Sequence, residues 1–404
     1  MTASNPGSSI FEYQPRTRLI FGQGSFAQLG QVVGELNGAR VLLVTDAGLR
    51  EAGHCDRAAQ MLRADGMDVF IFDSVRENPT TEDVERCVEY ATPLNVNCIV
   101  GLGGGSSLDC AKGANFLLTN GGRMQDYRGV GKAHSPMLPM VAIPTTAGTG
   151  SEAQSFAVIA DPVSHMKMPC GDPKAAYRVA ILDPELTVTM PHAVATVTGI
   201  DAMTHAVESF VTRNRNPVSQ MFARQAWVLL SAAFPVVLDQ PENLEARGRM
   251  QLGAHFAGAA IENSMLGAAH ALANPLTARF GTVHDRAVGL LLPSVIHWNL
   301  STVAELYRDL AVSAGWTPAT NSPEVASREL ASRFTDLLKM SDMPTCLSEL
   351  ANDDELEKNM ETLAEEASQQ WTGRFNPRKM EAADFQQVYR NAMASRLTAV
   401  KCAG

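Results

Sequence analysis

From about residue 17 to residue 182, short runs rich in β-branched and apolar residues alternate with segments in which apolar positions recur at helical spacing. Residues 40–45, 68–72, 97–101, 140–143, 156–160 and 179–182 read as strands, and the alternation predicts a parallel sheet covered by helices. After Pro184 the period changes. Helices are predicted near 191–212, 218–237, 243–261, 266–280, 302–314, 322–340 and 381–398, with Asn216-Pro217 a turn between two of them and 371–379 a polar surface loop. Asp183-Pro184 and Met190-Pro191 punctuate the change, so the expected organisation is an α/β domain over 1–186 followed by an all-helical domain over 187–404.

Composition narrows the partners. The 404 residues carry 33 Lys plus Arg against 43 Asp plus Glu, a formal charge of −10, with no basic cluster to offset it. Nucleic acid and anionic membrane are thereby poor partners. The first residues show neither a basic start nor an apolar core of a leader, and the greasiest stretch, near 227–238, is short for a bilayer, so a cytoplasmic protein is expected. Seven scattered cysteines, none spaced C-x-x-C, read as reduced structural thiols and offer no thiolate zinc site.

Candidate chemistry begins at Gly101-Leu102-Gly103-Gly104-Gly105-Ser106-Ser107-Leu108-Asp109, where a buried strand, a glycine turn and a helix start follow one another. Such a turn brings backbone N–H groups close to a pyrophosphate; its plain alternative is a tight strand-to-helix connection. Asp109 serves as a cap or a cofactor contact. Asp46, ending the strand at 40–45, serves as an acceptor for adenosine ribose hydroxyls, favouring NAD over NADP, or as a helix N-cap. The loop Pro144-Thr145-Thr146-Ala147-Gly148-Thr149-Gly150-Ser151-Glu152, dense in hydroxyls, suits phosphates and the nicotinamide ribose.

In the second half, Asp201 and His205 stand four apart and share a helical face. His270 and His284 lie among small and apolar residues of the same domain, an unusual setting for imidazoles unless they are satisfied core side chains or ligands. If the four converge, three imidazole nitrogens and a carboxylate oxygen suit a metal that accepts a fifth or sixth ligand. Fe2+ fits that demand, with Zn2+ the alternative wherever supply decides.

These motifs together resemble the iron-containing, or group III, alcohol dehydrogenase family along essentially the whole chain. The family's G-G-G-S-x-x-D-x-A-K is matched by Gly103 through Lys112, its P-T-T-x-G-T-G-S-E by Pro144 through Glu152, its G-x-D-A-x-x-H by Gly199 through His205, and its last metal histidines by His270 and His284. The resemblance implies an N-terminal dinucleotide-binding domain, an all-helical metal-binding and substrate domain, a cleft between them, and a homodimer or larger homo-oligomer. It assigns Asp46, Gly103, Gly104, Gly105, Ser106, Asp109, Thr145, Thr146 and Thr149 to NAD, places Lys167 near the cofactor ribose, and makes Asp201, His205, His270 and His284 catalytic through the metal. The implied reaction is metal-assisted hydride transfer between a small alcohol and its aldehyde or ketone. Two positions depart from the family. Asn274 replaces a second histidine of H-x-x-x-H, removing a group linked to proton relay or substrate contact, and Asp285 follows His284 where relatives often have glycine. An amide cannot act as a base. Three other readings share the architecture: a maleylacetate-reductase-type enzyme, which does not need the metal set; a dehydroquinate-synthase-like lyase, which expects a more basic pocket; and a nucleotide-binding protein without turnover.

Overall fold

The computed structural model describes residues 10–163 and 166–393. Among the described residues nine strands run in chain order: β1 Arg18–Phe21, β2 Arg40–Val44, β3 Asp68–Phe72, β4 Cys98–Gly103, β5 Gly129–Val130, β6 Met140–Pro144, β7 Phe156–Ala160, β8 Lys167–Gly171 and β9 Val179–Leu182. Six of them form one parallel sheet in the order β1-β9-β6-β4-β2-β3. Alternation along these strands fills two cores. Val41, Leu43, Val100, Leu102, Val141 and Ile143 face one side, and Leu42, Val44, Ile99, Met140 and Ala142 the other. A sheet buried on both faces needs near-continuous apolar strands, which is why β4 is buried at every position.

Five of the six anticipated strands lie in this sheet. The run at 156–160 instead pairs antiparallel with β8 in a separate sheet ordered β5-β8-β7. Strand β1 escaped the pattern because its four residues are only partly buried at the sheet edge.

The helices interleaved with the strands are α1 Leu29–Glu35, α2 Ala47–Glu51, α3 His54–Ala64, α4 Thr81–Ala91 and α5 Gly105–Asn120. The second half contributes α6 His192–Val211, α7 Pro217–Asp239, α8 Leu244–Ser264, α9 Ala268–Phe280, α10 His284–Ser313, α11 Pro323–Met340, α12 Asp353–Gln369 and α13 Ala382–Met393. The helix expected at 302–314 is the far part of α10, where Val303 leaves helical geometry at φ −136° and marks the kink. Helix α12, polar on most of its surface, gave too weak an apolar period to be anticipated, although Leu356, Met360, Leu363 and Ala367 form its buried stripe. The helix expected to 398 ends at Met393 within the described residues; the remainder of that expectation lies outside them. The segment 371–379 is no surface loop, because Thr372, Gly373 and Asn376 are buried and a short 3-10 turn spans Gly373–Phe375. Helices α7 and α10 are long and apolar enough to cross a bilayer by length and composition, contrary to the shorter stretch read at 227–238, but they bury Trp227, Phe234, Leu291 and Ile296 in the fold.

The chain divides into two compact units. One comprises Gln14–Ala195 with Gln240–Gly258; the other comprises Met1–Tyr13, Thr196–Asp239 and Ala259–Gly404. Most of α8 therefore belongs with the sheet. Gly258 explains its attachment, since a Cβ there would sit 2.3 Å from the Gly150 carbonyl oxygen, and Gln251 donates to the Pro144 carbonyl at 2.9 Å. All six described cysteines are free, and burial pushes the Cys98 and Cys170 thiols up to about 12, so these two remain neutral packing groups.

Candidate functional site

In the sheet unit, the connections after β2 and β4 leave in opposite directions, β2 toward β3 and β4 toward β6. Ligands of open parallel sheets bind at such a switch point, beyond the carboxyl ends of the strands. Asp46 and the glycine turn both stand there. Gly103 has φ +150°, open to glycine, and a Cβ on it would meet the Ser107 hydroxyl at 2.6 Å. A Cβ on Gly105 would sit 2.5 Å from Thr149 Cγ2, and one on Gly104 would sit 3.2 Å from Thr146 Cγ2. The Thr145 N–H bonds to the Gly103 carbonyl at 3.1 Å. Two loops separated in sequence thus form one surface of small groups. Helix α5 opens at that surface with no side-chain cap on its first turn, which fits a pyrophosphate drawn to free N–H groups.

Asp46 takes the capping role: Oδ1 caps α2 by accepting the Leu49 N–H at 3.1 Å, while Oδ2 accepts the Ser107 hydroxyl at 3.3 Å. Ser106 Oγ accepts the Asn78 N–H at 3.2 Å. Asp109 turns toward the protein. Its Oδ1 accepts the Ser151 hydroxyl at 2.6 Å and its Oδ2 the Val158 N–H at 3.1 Å. Lys112, wholly buried, donates to the Ser151 and Phe156 carbonyls at 2.8 and 2.6 Å and lies 3.5 Å from Asp109 Oδ1. Lys167 begins β8, the antiparallel partner of the strand that holds Val158.

In the helical unit, α6 is buried all round from residue 201 to residue 211, so its polar side chains must find partners inside. Asp201 and His205 project from one face, with His205 Nε2 3.3 Å from Asp201 Oδ2. His270 lies in the first turn of α9. That helix ends at left-handed Gly281 (φ +63°), and α10 opens at His284 after a three-residue turn, which returns His284 toward His270. Asp201, His270 and His284 each offer a ligand atom within 4.8 Å of the others. The His205 and His270 rings stack with centroids 4.9 Å apart, and those of His270 and His284 meet edge-on at 5.6 Å.

Asp201 Oδ1 and His270 Nε2 are buried 3.4 Å apart, and neither makes a hydrogen bond among the described residues. A buried carboxylate oxygen and imidazole nitrogen aimed at one point fit a divalent cation. Burial alone would raise the Asp201 carboxyl, but the His205, His270 and His284 imidazoles outweigh it and hold the group well below the usual carboxylate range. Burial opposes charge on His270 as well, yet Asp201 and Glu208 push it up to about 9.

Glu208 was missed in the sequence. It lies seven residues after Asp201 and three after His205, on the same helical face, and that spacing was the available signal. Asn274, one turn beyond His270, donates to Gln370 Oε1 at 3.0 Å.

A doubly covered parallel sheet with a phosphate-type turn, joined in one chain to a buried Asp/His cluster on helices, has the parts that a metal-dependent, nucleotide-using oxidoreductase requires. The iron-containing alcohol dehydrogenase pattern matches residues 15–184, and the C-terminal pattern of the Fe-containing alcohol dehydrogenase family matches 195–393. The chain belongs to the iron-containing alcohol dehydrogenase family. It is 33% identical to an NAD-dependent methanol dehydrogenase of Bacillus methanolicus over 93% of this chain and 97% of that one. Among solved structures, a 1,3-propanediol oxidoreductase superposes with a TM-score of 0.91 at 32% identity, covering 95% of this chain and all of the other. A sulfoacetaldehyde reductase of Bifidobacterium kashiwanohense in complex with NAD+ superposes with a TM-score of 0.85 at 25% identity, over 96% of this chain and 100% of that one. None of these comparisons favours the maleylacetate-reductase or dehydroquinate-synthase-like alternatives.

Proposed function

We propose that the protein is an NAD-dependent, iron-containing alcohol dehydrogenase in which Asp201, His205, His270 and His284 hold Fe2+ and interconversion of a small alcohol with its aldehyde or ketone proceeds at that centre. The observation carrying this reading is the convergence of Asp201, His270 and His284 from α6, α9 and α10, whose ligand atoms lie within 4.8 Å of one another, with the His205 imidazole 3.3 Å from Asp201 Oδ2 and stacked on His270. When bound, the metal supplies Lewis acidity that makes an alcohol hydroxyl easier to deprotonate, and NAD+ supplies the hydride acceptor.

The chain's own residues account for the rest. Gly103, Gly104, Gly105 and Ser106, with the first turn of α5, cradle the pyrophosphate. Thr145, Thr146 and Thr149 line the other side of that cradle. Asp46 keeps an acceptor at the adenosine ribose and repels a 2′-phosphate, favouring NAD. Asp109 acts at one remove: through Ser151 and Lys112 it fixes the threonine loop against α5. Lys167 serves the cofactor from β8. Asp201 holds negative charge at the centre, and its burial keeps bulk water from screening that charge. Residues 1–186 act as the dinucleotide-binding domain and 187–404 as the metal and substrate domain, except that residues 187–195 and Gln240–Gly258 group with the first and residues 10–13 with the second.

A reducing, cytoplasmic setting suits the six free cysteines among the described residues, and a homodimer or larger assembly suits apolar side chains left exposed at Phe21 and Met221. The test is anaerobic purification, metal analysis, and NADH and NADPH oxidation with a panel of small aldehydes and ketones. The expected outcome is bound iron and NADH-linked reduction. Dinucleotide binding without turnover on any member of the panel would overturn the reading.

A further inference from the structure

Three donors converge on one buried carboxylate. Glu208 Oε2 accepts the Gly267 N–H at 3.1 Å and stands 2.6 Å from His270 Nδ1, while Oε1 accepts the Ala269 N–H at 2.6 Å. The side chain is 3% exposed. Gly267 makes the approach possible, since a Cβ there would lie 2.9 Å from Glu208 Oε1. One acid on α6 therefore closes the open N-terminus of α9 and grips the ring of the ligand in that helix's first turn.

We infer that Glu208 is a positioning residue for the metal centre: by accepting the Nδ1 proton of His270 it fixes the tautomer and ring plane that present Nε2 to the cation, and it ties that ring to the same helix that carries Asp201 and His205. The inference rests on the ligand set proposed above. An imidazole whose Nδ1–H is held by a carboxylate has its lone pair on Nε2, the atom 3.4 Å from Asp201 Oδ1. Without that acceptor, the neutral ring is free to carry its proton on Nε2, where it cannot ligate. Capping and ligand orientation are thus coupled, because a shift of α9 moves the imidazole with its backbone.

Glu208→Gln preserves shape but not the acceptor set. An amide has one oxygen, so its NH2 must face either the Ala269 N–H or the Gly267 N–H and His270 Nδ1. In the second orientation His270 must accept at Nδ1 and carry its proton on Nε2. Chelator competition on the purified full chain is expected to show Fe2+ and Co2+ affinity lowered by about 10- to 100-fold, with an altered Co2+ absorption spectrum. The metal-free variant should melt within a few degrees of metal-free wild type. Wild-type metal affinity and an unchanged Co2+ spectrum would overturn the inference.

Because the variant could fail to fold, a second measurement uses wild type alone. In Zn2+-loaded protein with 15N-labelled histidine, His270 is expected to be protonated at Nδ1 and ligated through Nε2; ligation through Nδ1 would overturn the inference. His284→Ala separates the two levels. If it retains metal, the ligand set is wrong; if it loses metal while Glu208→Gln binds as wild type, the ligand set stands and the role of Glu208 falls.

Discussion

The carboxylate of Asp109 accepts the hydroxyl of Ser151 at 2.6 Å, which ties the first turns of α5 to the threonine-rich loop. Asp109 also lies beside the buried ammonium of Lys112. Asp109→Ala should therefore act chiefly on stability, lowering it by about 3–5 kcal/mol as a buried charge loses its carboxylate. Urea denaturation reads this directly. If stability is unchanged and NADH binding is lost, Asp109 touches the dinucleotide instead of anchoring the loop.

Gly105 faces Thr149 so closely that a methyl group has no room, at 2.5 Å from Thr149 Cγ2. Gly105→Ala should weaken NADH binding by roughly tenfold or more, about 1.4 kcal/mol, through displacement of the loop. In a Thr149→Ala background the same substitution should cost much less. Additive effects in this double-mutant cycle would show that the two positions are not coupled.

At Asp46 one side chain combines a cap with a charge. Asp46→Ser keeps an N-cap oxygen for Leu49 but removes the negative charge proposed to face the ribose. The ratio of kcat/KM for NADH over NADPH is expected to fall by about tenfold or more, about 1.4 kcal/mol, with little change in melting temperature. An unchanged ratio would leave Asp46 as a cap alone.

Asn274 takes the position of the family's additional histidine and spends its amide on Gln370. Asn274→His should add an ionisation near the ordinary histidine value of about 6.5 to the pH–rate profile. An identical profile would mean that this position handles no proton.

The fold was legible where periodicity was strong. Strands β2, β4, β6 and β9 were readable because a sheet covered on both faces requires continuous apolar runs. Strand β1 lacks that signature, and α12 carries only a thin apolar stripe among acidic residues. At the site, types and spacings pointed to Asp201, His205, His270 and His284, since imidazoles among small residues stand out. Glu208 did not stand out, because a glutamate on a helix is ordinary until its partners are known. Its three donors arrive from a segment about sixty residues later, and only the fold brings them together. The inward turn of Asp109 was hidden for the same reason: Ser151 and Val158 lie beyond any local spacing rule.

Dependence of turnover on a metal held by Asp201, His205, His270 and His284 is the step on which the proposed function rests. Its most direct test strips the protein of metal anaerobically, returns Fe2+ in substoichiometric steps, and follows NADH-linked aldehyde reduction against bound iron. Activity is expected to rise in proportion to occupancy up to one ion per chain, and Asp201→Ala and His284→Ala should bind NADH yet take up neither iron nor activity. Full turnover in the stripped protein, or wild-type iron and rate in either variant, would contradict the account.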